Sequence, residues 1–168
     1  MRLSSKLRFL DDAELVCAML VAPDFEDLIA QELGATEHST ITSSDRIATT
    51  FLLPVSNPAM SALVGNQMRL VADFVWNEPL VGDHRRGLLV MTVERLPVKL
   101  TGQVELSRPG QVTEVSYDCD LEVKIPFLGR RIERAAAETV AQVVNSGQRL
   151  GQTWLAQHGG SGQAPEQT

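Results

Sequence analysis

Hydrophobic positions along the chain settle into one long helical period near residue 125. From there to residue 158, Leu128, Ile132, Ala135, Thr139, Val143, Gly147, Leu150 and Trp154 recur every three or four places. Arg131, Arg134, Glu138, Gln142, Asn145, Gln148, Arg149 and Gln152 fall mostly between them. The spacing predicts one amphipathic helix, which Pro126 is placed to start. At 1.5 Å per residue it is a rod of about 45 Å, roughly the width of a compact domain of this length. Such a rod must cross the whole domain against something apolar.

Before residue 125 the dominant period is two. Leu3, Ser5, Leu7 and Phe9 make one side of a first strand. Two short helices follow. Asp11 with Glu14 has the capping-box spacing for a helix over about 12–20; Pro23 breaks that run, and Asp24 is placed to cap a second helix carrying Phe25, Leu28, Ile29 and Leu33 and ending at Gly34. Strands are then predicted at 36–43, 46–53, 68–76, 87–94 and 98–107, with a seventh running to Ile125. Asn57, Pro58 and Gly65 bracket a short helix over 59–64. Arg108-Pro109-Gly110-Gln111 reads as a type II turn. If Arg108 faces Gln111, then Val104 faces Val115, Leu100 faces Cys119, Gly102 faces Tyr117 and Lys99 faces Asp120; the same register sets Glu105 against Glu114, which invites a bulge or slip.

The implied architecture is α+β: one curved, seven-stranded antiparallel sheet around one long C-terminal helix, with two short helices after strand 1. This order of elements resembles the START-like superfamily, the helix-grip fold also called polyketide cyclase/dehydrase-like or SRPBCC. Lys124-Ile125-Pro126-Phe127-Leu128-Gly129-Arg130-Arg131-Ile132-Glu133, with Leu96-Pro97-Val98 before it, is similar to an uncharacterised bacterial family within that superfamily. The resemblance covers residues 1–158 as a single domain; 159–168 is a Gly/Ser/Pro/Gln tail expected to be disordered. It implies a cavity between helix and sheet for a lipid, sterol-like, polyketide-like or other apolar molecule. It does not imply one activity.

Composition narrows the partners. The 168 residues are 43% apolar and 21% charged, and no apolar run approaches a membrane span of about 20 residues. Residues 1–9 lack the basic-then-apolar pattern of a signal peptide, so a cytoplasmic location without stable membrane insertion is expected. With 15 basic and 21 acidic side chains the formal charge is −6, which disfavours nucleic acid. Cys17 and Cys119 sit among apolar neighbours without CxxC or His/Cys spacing, as buried structural thiols do. Neither a metal site nor a cofactor is implied.

The candidate ligand-binding wall combines Phe51, Phe74, Trp76, Val90, Thr92, Leu100, Val104, Tyr117 and Cys119 from the sheet with Val140, Val143, Val144, Gly147, Leu150 and Trp154 from the helix. Gly147, mid-helix at a cost of about 1 kcal/mol against alanine, signals close packing or space for a guest. Tyr117 and Thr92 are polar groups on apolar faces, available to anchor a ligand's polar end or to bond the backbone. Asp118, Asp120, Glu122 and Glu114 alternate away from the apolar face and read as a solvated surface. Asp83-His84 has the makings of a base with its orienter but no nearby nucleophile. Arg130, Arg131 and Arg134 crowd a helix start, where acidic partners such as Glu133 and Glu138 would offset the macrodipole cost. No Gly-rich phosphate loop or nucleophile elbow occurs. The reading is non-enzymatic binding or carrying of a small hydrophobic molecule. Two rivals stay open: a cyclase- or hydrolase-type enzyme using the same cavity, and a protein-interaction module whose core is filled.

Overall fold

The computed structural model describes residues 1–163, 165 and 166. In chain order the elements are β1 (Arg2–Phe9), α1 (Ala13–Met19), α2 (Pro23–Glu32), β2 (Glu37–Thr42), β3 (Arg46–Pro54), α3 (Pro58–Val64), β4 (Gln67–Trp76), β5 (Arg85–Val93), β6 (Val98–Ser107), β7 (Thr113–Val123) and α4 (Gly129–Gln157). The strands form one sheet in the order β1-β7-β6-β5-β4-β3-β2. Every neighbouring pair is antiparallel. Helix α4 lies across the concave face, and α1 and α2 cover one end of it.

Helix ends differ from the sequence reading by a few residues, each for a local reason. Pro23, which follows the end of α1, also starts α2: at the first helical position its missing N–H costs nothing, and Ala22 rather than Asp24 is the N-cap. Asp24 therefore sits in the first turn, where its Oδ1 accepts a 2.7 Å hydrogen bond from Trp154 Nε1. The N-cap of α1 is Asp12, without a side-chain cap bond. Asp11 instead takes hydrogen bonds from the backbone N–H and hydroxyl of Ser161. The start of the 159–168 segment is thus tied to the domain; Ala164, Gln167 and Thr168 lie outside the described residues. Helix α4 begins at Gly129 because Phe127 takes φ 63°, which interrupts the path after Pro126.

The β6–β7 hairpin is slipped by two residues from the predicted register. Leu100 pairs with Leu121, Gly102 with Cys119, Val104 with Tyr117 and Lys99 with Glu122. The slip moves Glu105 away from Glu114 and opposite Ser116. Glu114 is left to Lys6 and Arg8 of β1, at 3.4 and 2.8 Å. A shift of two keeps every side chain on its predicted face, since faces alternate with period two. It also reassigns Gly102, where a Cβ would collide with Cys119 Sγ rather than meet the Tyr117 ring.

Helix α4 is fastened at its two ends. Ile132 is buried with Val98, Leu100 and Leu121, and Leu128 packs against that cluster. Leu150, Trp154 and Leu155 are buried with Phe9, Val16, Met19 and Phe25. Between Ile132 and Leu150 no residue of the helix is buried. The two mid-helix glycines behave accordingly. A Cβ on Gly151 would lie 2.7 Å from two ring carbons of the fully buried Phe9, whereas one on Gly147 would sit at 3.5 Å from a Leu7 methyl, an ordinary contact. Close packing is therefore the role of Gly151, while at Gly147 a methyl group would fit against Leu7 without a clash. Gly151→Ala is expected to lower stability by about 1–3 kcal/mol through overpacking. Gly147→Ala is expected to raise it by up to about 1 kcal/mol through helix propensity. Urea unfolding midpoints of the two variants check both signs.

Candidate functional site

Where the middle of α4 stands off the sheet, the structure holds a cavity of about 850 Å³. That is the size range of small-molecule sites. Its floor is the concave face of the sheet: Phe51, Leu53, Leu70, Ala72, Phe74, Leu89, Met91, Leu100, Tyr117, Cys119 and Leu121. Its roof is α4 from Ile132 to Gln148, where small side chains (Ala135, Ala136, Ala137, Ala141) alternate with Val140, Val143 and Val144. Phe25, Glu26, Ile29 and Leu33 of α2 close one side. Ser56 and Asn57 before α3, with Thr139, Ala141 and Asn145 of α4, are lining residues that are also solvent-exposed, and they mark the mouth.

Nine of the sequence-predicted residues line this chamber: Phe51, Phe74, Leu100, Tyr117, Cys119, Val140, Val143, Val144 and Gly147. The other six lie elsewhere. Val90 and Thr92 are on the opposite, outer face of β5. Their neighbours Leu89, Met91 and Val93 face inward instead, because Leu89 pairs with Phe74 and Gly102, and Met91 with Leu100. Trp76, Val104, Leu150 and Trp154 belong to the solid core beyond the end of the chamber. Trp76 donates from Nε1 to the Cys17 carbonyl at 3.3 Å and is covered by the Arg85 guanidinium 5.1 Å from its ring. Trp154 stacks on His158, with ring centres 3.8 Å apart, and both are held by Asp24.

Among the polar lining residues that escaped the sequence reading as site candidates, Glu26 and Ser5 lie deepest in the apolar stripes of their elements. Glu26 shares a face of α2 with Ile29, Ala30 and Leu33, at spacings of three, four and seven. A carboxylate on an apolar stripe was the available signal. Among the described residues it is the one acidic side chain lining the chamber. Burial raises its pKa from 4.5 to about 7, against smaller opposing effects from Thr49 and His38; Asp27 adds to the rise. Ser5 interrupts the inward row Leu3, Leu7, Phe9 and pairs across the sheet with Tyr117. Its buried Oγ has no hydrogen-bond partner. The Tyr117 hydroxyl makes none among the described residues either, and burial pushes its phenol pKa well up, with Cys119 and Glu26 adding to the shift. Of the expected backbone or water partner over Gly102, the backbone bond is not formed, since Gly102 pairs with Cys119.

The remaining candidates fall outside the chamber. Asp118 pairs with Arg2, Glu122 with Lys124, and Asp120 with the N-terminal amine, all on the outer sheet face. His84 Nε2 is 2.7 Å from Glu105, not engaged with Asp83, in an exposed loop. Among the described residues Arg130, Arg131 and Arg134 form no salt bridge, so the anticipated pairing with Glu133 and Glu138 is absent. The described residues contain no cluster of three or more metal-ligating side chains. Both thiols are free and buried.

This sheet, helix and chamber define the START-like class of fold. The protein TTHA0849 from Thermus thermophilus superposes with a TM-score of 0.62 at 13% identity, over 94% of this chain and 99% of that one. A START superfamily protein from Mycobacterium smegmatis superposes with 0.54 at 14% identity, over 88% and 94%. A STAR-related lipid transfer protein fragment from Xanthomonas axonopodis does so with 0.52 at 13%, over 86% and 84%. Within that class, residues 5–155 match the family described as Protein of unknown function (DUF2505), and the chain belongs to that family. No curated protein matches it in sequence. No helix among the described residues is long and apolar enough to cross a membrane.

The Glu26 carboxyl carries a pH prediction. Its folded pKa is raised, so between about pH 4.5 and 7 the native state binds more protons than the unfolded chain. Stability contributed at this site therefore falls as pH rises through that window. Glu26→Gln removes the cost, and is expected to be more stable than the parent by about 1–3 kcal/mol at pH 8. The gain should vanish below pH 4.5. Denaturation at the two pH values measures it.

Proposed function

We propose that this protein binds and carries a small hydrophobic molecule, lipid, sterol-like or polyketide-like, in the chamber beneath α4. The observation that supports this most directly is the two-ended fastening of the helix over about 850 Å³ of mostly apolar-walled space. An unfilled volume of that kind forgoes dispersion contacts and leaves apolar surface wet, a cost that a guest removes. A solved structure with the same fold is named for lipid transfer, which adds support of the weaker, fold-level kind. The interaction-module reading requires a filled groove beneath α4, and the chamber volume favours binding over it.

A second reading, turnover of the bound molecule, draws on one observation: Glu26 and Tyr117 face the same chamber. It predicts a chemically altered guest after incubation, lost in Glu26→Gln with binding retained.

Native mass spectrometry of freshly purified protein and thermal shifts with fatty alcohols, sterols and aromatic polyketides test the binding reading. A matching ligand at a hundred times its Kd should raise Tm by about 5–10 °C. Ala136→Trp, which puts an indole into the roof, should abolish that shift while leaving the unliganded protein folded. Absence of any bound or stabilising molecule would count against the proposal.

A further inference from the structure

Most of the chamber is lined by side chains that cannot hydrogen-bond, so the few polar groups inside it decide how a guest is oriented. Most polar lining residues, such as Ser56, Asn57, Thr139 and Asn145, are solvent-exposed at the mouth. Gln148 is already engaged at both ends of its amide with the Arg8 backbone, at 2.8 and 2.5 Å. What remains inside is Ser5 and Tyr117, neighbours across the β1–β7 ladder, and Glu26 from α2. Ser5 Oγ is buried without a partner, and the Tyr117 hydroxyl has none among the described residues. The charged groups around Glu26 are turned to other work or lie farther out. His38 of β2 is held by Asp27 at 2.7 Å, and Lys6, which lines the chamber's edge from β1 but is exposed and alternates to the outer face from Ser5, pairs with Glu114 at 3.4 Å.

Buried polar hydrogens without acceptors are costly, and a guest that supplies an acceptor recovers that cost. We infer that Ser5, Tyr117 and Glu26 form the polar end of the chamber and select an apolar molecule whose polar group is an uncharged hydroxyl or carbonyl oxygen, to the exclusion of carboxylates. The inference rests on the chamber being a binding site, as proposed above. An oxygen of that kind accepts from the Tyr117 and Ser5 hydroxyls, and a hydroxyl donates its own hydrogen to Glu26. A ligand carboxylate would also accept, but it places a second negative charge beside Glu26 in a poorly solvated space. An alkylammonium can donate to Glu26 but accepts nothing, leaving the Tyr117 and Ser5 hydrogens unmatched.

The test uses three probes of equal chain length, dodecanol, dodecanoate and dodecylamine, each competing with the neutral dye Nile red for the intact chain at pH 8. Dodecanol is expected to displace the dye at a concentration at least about tenfold below that of dodecanoate, the penalty for like charges in a low-dielectric site. Glu26→Gln should close most of that gap by improving dodecanoate. Tyr117→Phe should weaken dodecanol by about two- to tenfold, one hydrogen bond's worth, once each displacement is corrected for the variant's own Nile red affinity, measured by direct titration. Circular dichroism confirms that both variants are folded. Equal affinities for dodecanol and dodecanoate, unaffected by Glu26→Gln, would overturn the polar-end inference and leave the chamber's binding role standing. Tighter binding of dodecylamine than dodecanol would overturn it as well. Failure of Nile red and all three probes to bind would overturn both proposals together.

Discussion

A helix of 29 residues laid across a curved sheet has a geometric problem: a straight rod cannot follow a concave surface along its length. Here α4 touches down twice. Ile132 enters the cluster around Leu100 and Leu121, and some five turns later Leu150, Trp154 and Leu155 enter the cluster around Phe9 and Met19. At the second site the approach is closest, where Gly151 presents bare backbone to the Phe9 ring. Between these points the helix is a bridge. The chamber exists because two distant hydrophobic contacts hold a stiff element above a bent one.

The side chains on the bridging segment fit that role. Ala135, Ala137 and Ala141 are short side chains that leave space beneath them, Ala136 and Val140 pack at the edge of the Leu100–Leu121 cluster, and alanine maintains helicity where packing contributes little. The sheet answers with a different gradient. Large residues such as Phe51, Phe74 and Leu100 cover the floor, while charge is placed on the outer face in pairs such as Arg46–Asp73 and Arg2–Asp118. Exposed pairs of this kind contribute little energy individually; they keep the outer face in water and so settle which face of the sheet receives the helix. Within the resulting low-dielectric interior even a single carboxyl is consequential. Glu26 and Tyr117 both resist ionisation there, and each raises the cost of charging the chamber.

Local patterns in the chain carried much of this. The period of 3.6 after residue 125 defined α4, period two defined the strands, and the sequence Asn57-Pro58 with Gly65 framed α3, whose N-cap oxygen accepts from Ala59 and Met60. These features depend on residues within a few positions of one another, so a linear reading reaches them. Parity survived even where register did not: the two-residue slip of β6 against β7 left Leu100, Tyr117 and Cys119 on the concave face.

Features that depend on long-range placement emerged only in three dimensions. Strand β5 is apolar on both sides, so its own residues do not tell whether Val90 or Leu89 faces inward; pairing with Phe74 and Gly102 does. Trp76, Val104, Leu150 and Trp154 are as apolar as any wall residue, and only the point where α4 meets Phe9 makes them core instead of lining. Glu26 and Ser5 are single polar interruptions of apolar stripes, ordinary in one dimension. They acquire chemistry because α2 and β1 bring them to the same chamber as Tyr117. Which elements form, and which face of nearly every one is apolar, could be read from the chain, since both follow from near neighbours along it. The volume left between helix and sheet, and the polar groups that enter it, follow from where distant segments meet.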